Sequence, residues 1–224
     1  MFSDTDRIAV AQAIASAEAN TSGEIVCIVN EHRHYYAATG LGIAAVLAFL
    51  LPLLGIVLGV DPLHLLPGGD WSAGDPALDL RRGIEAYAEV QVALFCVVAA
   101  LLVLTPLGAW LTPQHFKHAR VRSEALAQFR ARGIGDTRAR TGVLIYVSTP
   151  DRIAEVVADE GIYAKVDSTY WRATVAALIA GISAGAPVRG FTDAVGLAGK
   201  VLAEHFPATA GDNPNELPDR LIVL

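Results

Sequence analysis

Residues 141–161, TGVLIYVSTPDRIAEVVADEG, decide the fold class. GVLIYVS (142–148) is a near-continuous apolar run rich in branched side chains, the pattern of a strand buried on both faces. Pro150-Asp151 reads as a turn, and RIAEVVAD (152–159) as a second strand with partial alternation. Upstream, residues 115–132 read as a helix with Phe116, Val121, Leu126 and Phe129 among its apolar positions, broken by Gly133 and Gly135. Downstream, Trp171, Val175, Leu178 and Ile182 mark one helical stripe, and Phe191, Val195, Ala198 and Leu202 mark another. RLIVL (220–224) is either a short closing strand or an extended tail.

The amino-terminal segment has the same character. Residues 3–20 predict an amphipathic helix: Ser3 and Asp6 form a capping box, Ile8, Ala11 and Ala15 share a face, and Gly23 ends the run. EIVCIV (24–29) is another buried-type strand. One helix and one strand cannot close a core, so these residues need the segment after residue 113. Alternating helices and strands predict an α/β layer structure.

Between the two halves, formal charges are absent from His34 to Val60 and from Val90 to Phe116. ATGLGIAAVLAFLLPLLGIVLGV (38–60) and VQVALFCVVAALLVLTPLGAWLT (90–112) are 23 residues each. As helices they are roughly 35 Å long, enough to cross a hydrocarbon core of ~30 Å. Pro52 and Pro106 are their kink points. Composition agrees: of 224 residues 53% are hydrophobic and 18% charged, with mean hydropathy +0.43, which points to a membrane protein. The first run follows an amphipathic segment and precedes no small-residue cleavage site, unlike a signal peptide.

Arg33 precedes the first run, and Lys117, Arg120, Arg122, Arg130 and Arg132 follow the second. The connection 61–89 carries only Arg81 and Arg82 beside six carboxylates. The positive-inside bias therefore predicts a bacterial inner (plasma) membrane protein with two spans and both termini in the cytosol. Membrane orientation also explains the basic stretch 117–140, and a net charge of −6 argues against a nucleic-acid binder. Two cysteines 69 positions apart argue against a disulfide scaffold. The predicted organisation is a first domain part at 1–35, a transmembrane hairpin at 36–112 with an external loop 61–89, a second domain part at 113–207, and a tail at 208–224. Asp75-Pro76 is a helix start, and Trp71 and Tyr87 are interfacial anchors. Asp70, Asp75 and Asp79 are either a cation site or a solvated acidic loop. Gly55 with Gly59, and Cys96 with Ala100, put small residues at i, i+4 for packing the hairpin on itself or for a homodimer.

The order of helix, EIVCIV, helix ending in RGIG, TGVLIYV, Asp151-Arg152 and Asp159-Glu160-Gly161-Ile162, then two closing helices, resembles the TPM domain family, typified by thylakoid-lumen phosphatase-like and photosystem-repair proteins and bacterial relatives. The resemblance covers about 1–30 and 115–207, with the hairpin outside it. It implies a TPM-like layered α/β domain interrupted by an inserted two-helix hairpin. It also implies a binding role in assembling, stabilising or regulating a membrane complex with an unknown membrane protein partner, divalent-cation binding, and, as the alternative, a metal-assisted phosphatase acting on phosphomonoesters. Many relatives work outside the cytosol, whereas the charge bias here keeps the domain inside.

Asp159 and Glu160 follow a strand in a glycine-containing loop, a position where α/β folds place sites, and Asp151 and Asp167 lie near them in sequence. Such carboxylates suit calcium or magnesium; solvated turn residues are the plainer reading. His32 and His34 alternate before the first span, and His115 and His118 lie at i, i+3 after the second, so four imidazoles could meet at the membrane surface to hold zinc or another transition metal. Gly181-Ile182-Ser183-Ala184-Gly185 matches G-x-S-x-G, with Asp193 and His205 following. Its helical surroundings, however, predict a small-residue helix end rather than a nucleophile elbow.

Overall fold

The computed structural model describes residues 2–32, 36–60, 76–208 and 214–224, the side chains of 76–80 and 168 excepted. Among these, the chain forms eight α-helices and a four-stranded sheet. In chain order they are α1 (Asp4–Glu18), β1 (Glu24–Asn30), α2 (Ala37–Val57), α3 (Pro76–Leu104), α4 (Leu107–Leu111), α5 (Gln114–Ala131), β2 (Gly142–Ser148), β3 (Ile153–Ala158), α6 (Glu160–Tyr163), α7 (Trp171–Ser183), α8 (Pro187–His205) and β4 (Leu221–Val223). Contacts divide the chain into two compact units, Met1–Arg33 with Gln114–Leu224, and His34–Pro113.

In the first unit the strands lie in the order β3-β2-β1-β4, with β1 parallel to β2 and β4, and β3 antiparallel to β2. Alternate residues of the central strands serve two cores, which is why both read as unbroken apolar runs. Ile25, Cys27 and Val29 with Val143, Ile145 and Val147 face α1, α7 and α8, through Val10 and Ile14, Leu178, and Phe191, Val195, Ala198 and Leu202. Val26, Ile28, Leu144 and Tyr146 face Val121 and Ala125 of α5. The result is a three-layer α/β/α unit.

Two expectations change. The buried stripe of α1 is Val10, Ile14 and Glu18, while Ile8 is 57% exposed and Ala15 is also exposed. The larger branched side chains at i, i+4 take the sheet, so the face is rotated from the one the alanines suggested. The helix also stops before Gly23, because Glu18 turns back to accept from the Ile25 N–H at 2.6 Å; Gly23 instead lets the chain pass close to Leu202. RLIVL (220–224), open between a closing strand and a tail, supplies the strand: Leu221, Ile222 and Val223 of β4 pair in parallel with Cys27, Ile28 and Val29.

In the second unit, α2 and the Arg81–Leu104 part of α3 are long and apolar enough to cross a membrane. Only 17% and 11% of those stretches is buried, unlike the core helices of a globular domain. Pro52 lies within an unbroken α2, whereas Pro106 caps α4 and separates it from α3. The helices close on Gly40, Ala44 and Ala48 of α2, with Gly40 against Leu102. Gly55 and Gly59 do not carry this packing: Gly59 borders open space, and a side chain at Gly55 would meet only Val60. Cys96 and Ala100 are exposed.

Candidate functional site

Parallel β1, β2 and β4 share a carboxyl edge, where α/β folds place binding sites. Asn30 ends β1, and its Nδ2 donates to Tyr146 Oη at 3.1 Å. Tyr146 Oη donates to Glu124 Oε2 at 3.2 Å, and Glu124 Oε1 accepts from Arg120 Nε at 3.0 Å. Asn30 Oδ1 accepts from the His32 N–H at 2.9 Å. Burial pushes the Tyr146 phenol up to about 12, so it is a neutral hydrogen-bond relay rather than a base. Around it, Ser148 Oγ donates to Asp151 Oδ2 at 3.0 Å. Glu155 receives Arg122 at 3.5 Å, with His118 Nδ1 at 3.9 Å. This edge offers charged and hydrogen-bonding groups for recognition.

The opposite edge gathers carboxylates. Glu18 and Glu24 are buried. Glu24 Oε2 accepts from the Leu217 N–H at 3.0 Å, and Glu216 accepts from the Arg138 N–H at 3.1 Å. Burial, reinforced by Glu24 and Asp219, pushes the Glu18 carboxyl up to about 9 against the lowering effect of the Ile25 N–H. Burial raises Glu24 as well. It also raises the Cys27 thiol, leaving an inert apolar filler in β1.

Asp159 and Glu160 follow a strand, as the sequence suggests, and belong to this carboxylate edge. They follow the carboxyl end of β3, but β3 runs antiparallel, so they lie beside the amino ends of β1 and β2. Asp159 is buried; its Oδ1 caps α6 by accepting from the Glu160 N–H at 2.6 Å. Its Oδ2 has no hydrogen-bond partner and lies 4.0 Å from an Arg140 guanidinium nitrogen. Glu160 is exposed. Asp151 precedes β3 and Asp159 follows it, so the six-residue strand, ~20 Å long, separates them and they cannot share an ion. Asp167 caps a 3₁₀ turn, accepting from the Thr169 N–H at 2.7 Å, and that bond lowers its carboxyl below the usual range.

His115 and His118 are exposed on α5, and His32 is exposed beyond β1. His34 lies outside the described residues, as do Asp70, Trp71 and Asp75. Among the described residues, no three His, Cys, Asp or Glu side chains gather as a metal-binding group. Asp159 therefore offers a cation one unpartnered oxygen, beside a guanidinium, where a hard cation takes six to eight oxygens. The described ligand set does not fit a resident divalent ion. The G-x-S-x-G stretch lies at the end of α7, with no strand leading into it. Asp193 pairs with Arg189 at 3.6 Å, and His205 packs edge-on to Tyr170 at 5.8 Å. Asp193 and His205 are twelve residues apart on α8, or ~18 Å, so no triad forms.

The fold has a solved counterpart. The chain is similar to the BA42 protein from the psychrophilic bacterium Bizionia argentinensis, known from an NMR structure. The two are 20% identical over 100% of this chain and 96% of that one, with a TM-score of 0.57. At that identity the likeness concerns the fold alone. No protein-family model and no curated protein matches the chain.

Sequence reasoning missed the Asn30–Tyr146–Glu124–Arg120 relay and the Glu18–Glu24–Asp219 cluster. The first had a signal, a tyrosine inside an otherwise aliphatic strand with an asparagine closing its neighbour. The second joins residues some two hundred positions apart and had none.

Proposed function

We propose that this chain is a two-span bacterial inner-membrane protein, whose apolar hairpin anchors a cytosolic TPM-like binding domain that assists a membrane complex. The observation that carries the reading is topological. β1 and β2 are adjacent parallel strands of one sheet, yet the two membrane-length helices lie between them in sequence. Residues on either side of the hairpin fold together and so share one side of any membrane it crosses. The arginine- and lysine-bearing start of α5 favours the cytosolic side.

A periplasm-dependent phosphatase reporter fused at residue 75 is expected to be active, and a cytosol-dependent reporter there inactive; the reverse pattern overturns the topology. A binding role is favoured over catalysis because the carboxyl-edge relay is hydrogen-bonded throughout and holds no activated nucleophile. Detergent-purified protein is accordingly expected to show no metal-dependent phosphomonoester hydrolysis with calcium, magnesium or zinc. Turnover abolished by Asp159→Ala/Glu160→Ala would replace this reading with the metal-assisted phosphatase.

A further inference from the structure

Beyond the end of α5 lies a pocket of about 220 Å³ lined by two arginines, Arg132 and Arg220, and otherwise by apolar residues: Val26, Ile134, Leu217, Pro218 and Ile222. Gly133, in the left-handed region at φ 62°, reverses the chain after α5, so that Ile134 is buried while Arg132 stays half-buried at the surface. β1 and β4 pair Cys27 with Leu221 and Ile28 with Ile222. Arg220 therefore falls opposite Val26, on the same sheet face as Ile222. Glu24 fixes the remaining wall by accepting from the Leu217 N–H at 3.0 Å, and does not itself line the pocket. Arg132 uses only its Nε, on Gln128 at 3.0 Å, and Arg220 has no hydrogen bond or ion pair among the described residues. Asp219, its neighbour in the chain, accepts from Asn215 at 2.8 Å instead. Two cations without a counter-ion thus border an apolar floor.

We infer that this pocket binds a small aliphatic carboxylate, with its alkyl chain on Val26, Ile134 and Ile222 and its head group held by Arg132 and Arg220. The occupant follows from charge and polarity together. Guanidinium forks match a carboxylate in plane and charge, so two of them without a partner select an anion. The floor offers no hydrogen-bonding side chain, so a sugar or nucleotide would leave its hydroxyls unpaired there, whereas an alkyl chain loses nothing. Size narrows the class further. The volume lies below the ~300–1,000 Å³ of sites for drug-sized ligands. At ~30 Å³ per water-sized group it holds roughly seven atoms, about the size of hexanoate. Every lining residue belongs to the first compact unit, so the inference does not depend on the membrane reading.

Equilibrium dialysis of radiolabelled hexanoate against the purified full chain, with protein-free buffer of the same composition as the blank, tests the site. Saturable binding of one hexanoate per chain is expected. Arg220→Gln removes an exposed, unpartnered side chain and so keeps the fold; it is expected to weaken binding about tenfold, and Arg132→Gln similarly. Arg189→Gln, which removes an exposed charge on α8 far from the pocket in sequence, is expected to leave binding unchanged. Unlabelled hexanamide, which has the chain without the charge, and acetate or inorganic phosphate, which have the charge without the chain, are expected to compete at least about tenfold less well than hexanoate. Absence of saturable binding overturns the inference, as does binding that survives both arginine variants intact. Hexanamide competing as well as hexanoate overturns the role of the arginines, and phosphate or acetate doing so overturns that of the apolar floor.

Discussion

Glu18→Gln is expected to stabilise the protein at pH 8 and to flatten its loss of stability between pH 5 and 8. Glu18 is 8% exposed at the end of α1, and its Oε1 accepts the Ile25 N–H at 2.6 Å. Burial first, then the neighbouring Glu24 and Asp219, raises its carboxyl from the ordinary 4.5 to about 9. Between those values the folded protein holds a proton that the unfolded chain releases. Stability from this group is therefore complete below about pH 4.5 and is lost as pH rises toward 9. The slope is at most about 1.4 kcal/mol per pH unit, and smaller where water reaches the carboxyl. Glu24, also raised by burial, adds to the slope with the same sign. Glutamine keeps the acceptor for Ile25 and offers Asp219 a donor without a titrating proton. Denaturant midpoints in detergent at pH 5, 6.5 and 8 read the difference. Curves that run parallel for wild type and variant would mean that Glu18 is ionised in the folded state.

How far such features were legible depended on their range. The runs 142–148 and 24–29 announced central strands because burial on both faces leaves no polar residue to interrupt them, and β2 occupies Gly142–Ser148. The hairpin was legible because 27 consecutive residues without a formal charge, twice over, match helices rather than loops. The direction of β3 was available but unused. A turn as short as 149–152 can join only antiparallel strands, so Asp159 had to fall on the edge opposite Asn30 and Ser148. β4 was legible only as one of two readings of 220–224, since three residues carry no periodicity. The convergence of Glu18, Glu24 and Asp219 was not legible, since it exists only once the last residues return to β1. The carboxylates singled out from the sequence thus lie on the edge opposite the Asn30–Tyr146 relay.

Gly181→Ala is expected to destabilise the protein by about 3 kcal/mol, while Ser183→Ala stays within about 0.5 kcal/mol of wild type. Helix propensity predicts the reverse for Gly181, since alanine in an ordinary helix interior gains about 1 kcal/mol over glycine. Packing decides the sign here. A Cβ on Gly181 would lie 2.3 Å from Gly190 Cα and 2.6 Å from Gly190 N of α8. Both are backbone atoms, so no side chain can rotate away, and α8 must shift bodily. That helix carries Phe191, Val195, Ala198 and Leu202 into the core, and all four would move with it. Gly196→Ala supplies the control on the same helix, because a Cβ there meets nothing within 4 Å; it is expected to be neutral or to stabilise by up to about 1 kcal/mol. Denaturant midpoints of the three variants make the comparison. A Gly181→Ala protein as stable as Gly196→Ala would show that α7 and α8 do not touch at these glycines, and the G-x-S-x-G stretch would need another explanation. The expected order instead assigns its first glycine to close helix packing, and leaves Ser183 as an exposed residue at the end of α7.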